Sequence, residues 1–81
     1  MRKYFVYAIK SEVDGRIYVG FSENAENRLK QHNSGKTKST KGYRPWHLFF
    51  TLKCETRTEA REKEKYYKSG IGKEKLRKMV S

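Results

Sequence analysis

The fold is decided by residues 3–21, KYFVYAIKSEVDGRIYVGF, which contain two strand-like segments around one turn. The segments KYFVYAIK at residues 3–10 and RIYVGF at residues 16–21 are rich in β-branched and aromatic residues, as strands are. The dipeptide Asp14-Gly15 between them is a strong hairpin signal. The sequence therefore predicts a β-hairpin at the start of the chain.

Two tyrosines occupy equivalent places on the two arms of this hairpin. Side chains alternate between the faces of a strand, and an even-length loop pairs odd positions of one arm with even positions of the other. Tyr7 and Tyr18 are therefore predicted to project from the same face. The pattern leaves open the exact register and the distance between the two rings.

Downstream of the hairpin, capping residues and a loop separate one helix from a third strand. Asn24 or Ser22 can cap a helix that ends near residues 33–35. Residues 36–42 are polar and basic and predict a flexible loop. The segment WHLFFTL at residues 46–52 is typical of a strand.

The C-terminal part predicts two further helices. Thr56 and Glu59 form a capping box that begins a helix over residues 57–68. The segment SGIG at residues 69–72 ends this helix, and a short terminal helix is expected at residues 73–80. Its inward residues are expected to be Leu76, Met79 and Val80.

The expected fold class is α/β, with a small three-stranded, mostly antiparallel sheet flanked by helices in the order β-β-α-β-α-α. A chain of 81 residues predicts a single domain over residues 1–81. No apolar run approaches the roughly 20 residues of a membrane span, and the N-terminus lacks a signal-peptide pattern, so no membrane partner is expected. A single cysteine, Cys54, excludes an internal disulfide or a Cys-rich zinc site and favours a cytoplasmic location.

The charge distribution points to a polyanionic partner. The chain has 20 Lys and Arg against 9 Asp and Glu, a net charge of +11. Residues 27–54 contain no acidic residue, and aromatic residues are interleaved among their cations. Cations neutralise phosphates and rings can stack on unpaired bases, so we expect nucleic acid, DNA above all, as the partner. The alternative is a merely basic surface with ordinary core aromatics.

Arg28 and His32 lie four residues apart and so share one face of the first predicted helix. Arg28 is expected to be partly buried, and then to need an anion or a carboxylate beside it. The alternative for Arg28 is a solvated surface cation. For His32 it is a role at the helix C-terminus, where a positive charge favours the dipole.

The tripeptides FVY at residues 5–7 and YVG at residues 18–20 resemble the paired signatures of the GIY-YIG nuclease family. The resemblance continues with Arg28 on the following helix and with HNSG at residues 32–35. It extends to Glu64 on the later helix and so covers essentially the whole chain.

This resemblance implies a divalent-metal-dependent endonuclease that hydrolyses DNA, selects structure and acts in repair or recombination. In the family one glutamate holds a single cation, which implies Glu64 as the metal ligand and Mg²⁺ as the cofactor, with Mn²⁺ as a substitute. Arg28 matches the arginine that holds the scissile phosphate. The implied catalytic residues are Tyr7, Tyr18, Arg28, His32 and Glu64.

One of the two tyrosines is implied to be the general base. Tyrosine has an unperturbed pKa of about 10, so it needs a lowered pKa or an immediate proton acceptor such as His32. Gly20 matches the small residue of the second signature and is expected to allow a close approach of backbone or substrate. Which tyrosine is the base stays open.

In both tripeptides valine replaces isoleucine, and the sequence departs from the family pattern at two further places. Phe5 stands where the family name has glycine, and we expect it to point away from the Tyr7 face. Larger members have a lysine directly after the second signature, where this chain has Phe21, so that phosphate contact is missing or comes from Lys38 or Lys41. Nucleic-acid binding is assigned to the cations Lys36, Lys38, Lys41 and Arg44.

Several alternatives stay open. Glu64 competes with Glu59 and Glu62 for the metal, and it could instead be a solvent-facing partner of Lys68. The rival function is a basic nucleic-acid-binding module on the same scaffold, with little or no catalytic activity. A third alternative is a ribosome- or RNA-associated basic protein, which would not require a metal. Larger relatives use an extra domain for targeting, so a targeting partner protein is also expected.

Overall fold

Three strands form one antiparallel sheet in the computed structural model, which describes residues 3–80. Strand β1 (Tyr4–Ser11) is central, and β2 (Ile17–Ser22) and β3 (Trp46–Cys54) pair with its two edges in the order β2-β1-β3. With three helices the element order is β-β-α-β-α-α. The fold class predicted from the sequence is therefore confirmed.

The hairpin between β1 and β2 sets the register that the site depends on. The amide of Ser11 donates to the carbonyl of Arg16 at 2.9 Å and closes a four-residue loop. Gly15 in this loop has φ +78°, a conformation that glycine adopts without steric cost. In the resulting register Tyr7 lies opposite Gly20, and Tyr18 lies opposite Ile9. The odd-to-even pairing is confirmed.

Helix α1 (Ala25–Asn33) connects β2 to the loop before β3. The Asn24 side chain accepts a hydrogen bond from the Asn27 amide at 3.0 Å, which satisfies a free donor of the first turn. After the helix, Gly35 has φ +84°, and the amide of Lys36 bonds back to the carbonyl of Gln31. The cap and the end of α1 lie where the sequence predicts them.

Helix α2 (Arg57–Lys68) begins as predicted, with the Thr56 hydroxyl accepting from the amide of Glu59 at 3.1 Å. Helix α3 (Gly70–Val80) begins three residues earlier than predicted. The Ser69 hydroxyl accepts from the amide of Gly72, so Ser69 alone separates the two helices.

The expected inward position of Met79 is wrong, because this side chain is 54% exposed. The buried residues of α3 are Gly72 and Leu76, which are four apart, and the same spacing leads to the half-buried Val80. Met79 lies beside this stripe. Leu76, with no exposed surface, is the main anchor of α3.

The two faces of the sheet carry separate apolar clusters. On one face Val6, Ala8 and Val19 pack against Ala60 of α2 and Leu76 of α3. On the opposite face Tyr7 and Ile9 pack with Ala25 of α1 and with Trp46, and Tyr18 borders this cluster. The candidate site lies on the second face, which α1 covers.

The expectation that Phe5 points away from the Tyr7 face is wrong. Phe5 packs against the cluster that contains Tyr7 and Ile9. Residues two apart in a strand share a face, so the alternation that places Tyr7 inward places Phe5 beside it.

Within residues 3–80 no helix is both long enough and apolar enough to cross a membrane.

Candidate active site

Tyr7 lies at the centre of the candidate site, on the middle strand of the sheet. Its side chain is 1% exposed, and its hydroxyl lies 3.0 Å from Nε2 of His32. The ring passes over Gly20 on the neighbouring strand, where a Cβ atom would come within 2.6 Å of the Tyr7 hydroxyl oxygen. The close approach expected at Gly20 is therefore that of the Tyr7 ring.

The acidity of Tyr7 is set by its surroundings. Burial raises the pKa of the hydroxyl above 10.0, the Arg28 guanidinium offsets only part of this rise, and the Glu64 charge adds to it. Of the two conditions named for a tyrosine base, a lowered pKa is not met, whereas a proton acceptor is present in His32.

His32 is fully buried and has a hydrogen-bond partner at each ring nitrogen. Nδ1 lies 2.9 Å from the hydroxyl oxygen of Thr40. Burial, together with the nearby Arg28 charge, lowers the pKa of the imidazole below 6.5. A neutral imidazole cannot supply the positive charge that the helix-dipole alternative requires.

Tyr18 and Arg28 complete the cluster around His32. The Tyr18 ring centroid lies 4.9 Å from that of His32. Arg28 is half-buried and donates to the side-chain oxygen of Gln31 at 2.6 Å. Because this partner is a neutral amide, the positive charge of Arg28 stays available to an anion.

Glu64 approaches the site from α2, and its side chain is 19% exposed. Its charge raises the pKa of Tyr7, as expected of a nearby carboxylate. It also forms the expected ion pair with Lys68, at the long distance of 3.6 Å. Of its competitors, Glu59 accepts from the Glu55 amide at 2.8 Å beside the start of α2, and Glu62 is exposed.

The donor set around Glu64 fits a hard divalent cation held by few protein ligands. Residues 3–80 contain no group of three or more His, Cys, Asp or Glu side chains that could form a complete protein cage. Mg²⁺ typically takes one or two carboxylates and fills its other positions with water and phosphate oxygens. The carboxylate of Glu64, which is partly exposed and forms a long ion pair with Lys68, suits that type of site.

The four loop cations are exposed and follow α1 in the chain. Arg44 is tied back by its Nε, which donates to the carbonyl of Lys41 at 2.8 Å. The loop is less free than predicted, because Thr40 is 1% exposed and its carbonyl accepts from the indole N–H of Trp46 at 2.9 Å. The exposed cations of this segment therefore alternate with the buried residues Thr40 and Trp46.

One residue at the site was not predicted from the sequence. Thr40 bonds directly to His32, but nothing in a Ser/Thr-rich loop distinguishes it from its neighbours. At the position where larger family members have a lysine, the Arg57 guanidinium lies 5.9 Å from the ring centroid of Phe21, which packs on the opposite face of the sheet from Tyr7.

Comparison with known proteins identifies the family of this chain. The family model of the GIY-YIG catalytic domain matches residues 3–77. UPF0213 proteins of Staphylococcus aureus strains Mu3 and N315 are each 37% identical over 78 residues, covering 95% of this chain and 94% of theirs. The solution NMR structure of a UPF0213 protein from Bacillus halodurans is 32% identical, with a TM-score of 0.57 over 96% of this chain and 85% of the other. The chain therefore belongs to the GIY-YIG family, among its small UPF0213 members.

Proposed function

We propose that this protein is a divalent-metal-dependent endonuclease that hydrolyses phosphodiester bonds in DNA, with residues 1–81 acting as one nuclease domain. The observation that carries the proposal is the buried contact between the Tyr7 hydroxyl and Nε2 of His32, at 3.0 Å, beside a half-buried arginine. A tyrosine next to a neutral imidazole forms an acid–base pair, and an arginine that donates to a neutral amide is suited to a phosphate.

Tyr7 and His32 supply the general base. The Tyr7 oxygen takes a proton from the attacking water as its own proton passes to Nε2 of the neutral His32 imidazole, which lies 3.0 Å away. A raised pKa makes the ionised tyrosine a strong base once it forms. Tyr18 packs on the imidazole and helps to hold its ring.

Arg28 and Glu64 act on the phosphate. Arg28 binds the scissile phosphate and neutralises charge that grows on its oxygens in the transition state. Glu64 holds Mg²⁺, or Mn²⁺ in its place, through its partly exposed carboxylate. When bound, the cation supplies Lewis-acid stabilisation of the phosphate and the leaving oxygen.

The loop cations bind DNA through its backbone. Phosphate contacts position a duplex without reading bases, so selection by DNA structure, or by a targeting partner protein, fits this surface. Such an enzyme suits repair or recombination. The exposed side chains that make these contacts are Lys36, Lys38, Lys41 and Arg44.

The test is cleavage of labelled duplex, single-stranded, flap and branched DNA with Mg²⁺, with Mn²⁺ and with EDTA. Glu64→Gln keeps the shape of the side chain and is expected to abolish metal-dependent cleavage while DNA affinity stays equal or rises. Glu62→Gln, on the same helix but exposed, is the matched control and is expected to cleave normally. Equal cleavage by the Glu64 variant and the wild type would remove Glu64 from the metal site.

The second candidate, a binding module without chemistry, is favoured by one observation: the cluster of exposed cations in the loop, which needs no metal to bind phosphates. Salt-sensitive DNA binding without cleavage of any substrate under either metal would support this alternative and reject the enzyme.

A further inference from the structure

We propose that Thr40 is a positioning residue that holds His32 in the neutral tautomer with its hydrogen on Nδ1, so that Nε2 can accept a proton from Tyr7. The inference deepens the proposed function and rests on it for its catalytic meaning. The tautomer itself can be measured without DNA or metal.

An unbroken chain of buried contacts joins Tyr7, His32 and Thr40. The Tyr7 hydroxyl lies 3.0 Å from Nε2 of His32, and Nδ1 of the same ring lies 2.9 Å from the Thr40 hydroxyl oxygen. The Thr40 hydroxyl in turn donates to the carbonyl of Thr37 at 3.2 Å. Tyr7, His32 and Thr40 are each at most 1% exposed, so water cannot replace a missing partner.

The two ends of this chain determine its direction. A carbonyl oxygen can only accept a hydrogen bond, so the Thr40 hydroxyl donates its single hydrogen to the carbonyl of Thr37. The same hydroxyl oxygen then accepts from Nδ1 of His32. At the other end the Tyr7 hydroxyl lies 3.0 Å from Nε2, and only the Nδ1–H tautomer offers a lone pair there for the Tyr7 hydrogen. The same tautomer, Nδ1–H with a free lone pair on Nε2, therefore satisfies both ends.

The opposite tautomer would leave the Tyr7 hydrogen without an acceptor. With the hydrogen on Nε2, the imidazole would donate to the Tyr7 oxygen, and the Tyr7 hydrogen would lose its acceptor in a buried position. A lost partner of this kind costs about 1–3 kcal/mol. More important for function, a protonated Nε2 cannot take the Tyr7 proton.

The structure also holds Thr40 firmly in place. Its carbonyl accepts from the indole N–H of Trp46 at 2.9 Å, and the Trp46 amide donates to the Asn33 side chain at 2.6 Å. Asn33 follows His32 on α1, so the loop and the imidazole are fastened to the same end of one helix. Thr40 therefore sits in the exposed basic segment but serves the buried site.

The first experiment measures the ring-nitrogen chemical shifts of His32 by NMR in the free wild-type protein. A hydrogen on Nδ1 is expected; a predominant Nε2–H tautomer would overturn the proposal, whether or not the protein cleaves DNA. Failure to cleave any DNA, with Nδ1–H observed, would count against the proposed nuclease function and leave the assignment of the tautomer standing.

The second experiment compares Thr40→Ser, which keeps the hydroxyl, with Thr40→Val, which keeps the shape. The serine variant is expected to keep the Nδ1–H tautomer and most of the cleavage rate. The valine variant is expected to shift the tautomer towards Nε2–H and to lower kcat by about 100-fold, the lower end of the range that general acid–base catalysis contributes. An unchanged tautomer in a folded valine variant, or an equal loss of cleavage in both variants, would contradict the role of Thr40.

Discussion

Gly20→Ala tests the packing on which the site depends. An added Cβ would lie 2.6 Å from the Tyr7 hydroxyl oxygen, 2.9 Å from Cζ and 3.2 Å from Cε2, whereas ordinary contacts begin near 3.4 Å. The Tyr7 ring must therefore move away by roughly 1 Å, in a core packed to crystal-like density. A shift of that size disrupts the 3.0 Å hydrogen bond from Tyr7 to His32.

The magnitude follows from these contacts. Overpacking of this kind costs about 1–3 kcal/mol. This cost outweighs the roughly 0.5–1 kcal/mol that alanine gains over glycine in a strand interior. A misplacement of about 1 Å at a reacting group can lower a rate by about 100-fold, so cleavage should fall more steeply than stability.

The assay combines urea denaturation with DNA cleavage for Gly20→Ala and for the control Gly70→Ala, whose added Cβ would meet no atom within 4 Å. A double variant with Tyr7→Phe removes the nearest clashing atom. Its loss of stability should be smaller than the sum of the two single losses. Wild-type stability and cleavage in Gly20→Ala, or strictly additive losses in the double variant, would refute the account of Tyr7 packing on Gly20.

Three further predictions concern stability and binding. Gly72→Ala would drive a Cβ into the backbone of Tyr66 and is expected to cost at least about 3 kcal/mol in denaturation experiments, where Gly70→Ala costs little. Burial lowers the pKa of His32 in the folded protein below 6.5, so as the pH falls the unfolded chain binds a proton at this histidine before the folded chain does. The free energy of unfolding should therefore fall as the pH drops below 6.5, by up to about 1.4 kcal/mol per pH unit. Urea denaturation against pH should show this slope reduced in His32→Gln and kept in a variant of the exposed His47; equal slopes would contradict it. The last prediction concerns the loop lysines Lys36, Lys38 and Lys41. Replacing all three by alanine should reduce the magnitude of the slope of log affinity against log salt by about 2–3, and an unchanged slope would exclude them from the interface.

Local sequence signals were sufficient for the secondary structure. The Asp14-Gly15 turn, the Asn24 and Thr56 caps and the alternating strands correspond to the hairpin and to the starts of α1 and α2. These features depend on contacts between residues close in the chain, so their signals are local. The start of α3 was harder to predict, because Ser69 caps α3 directly after α2 ends and leaves no room for the expected four-residue break.

The chain by itself determined the parity that places Tyr7 and Tyr18 on one face, and the helical spacing that joins Arg28 to His32. Alternation along a strand and periodicity along a helix are backbone properties, and correctly applied they also place Phe5 beside Tyr7. Only the tertiary structure decided that Tyr7 meets His32, that Thr40 turns inward from a basic loop, and that Arg57 lies over Phe21. These contacts join residues from different elements, so they form only when the sheet and helices pack. The pKa shifts of Tyr7 and His32 arise from burial, which likewise exists only after this packing.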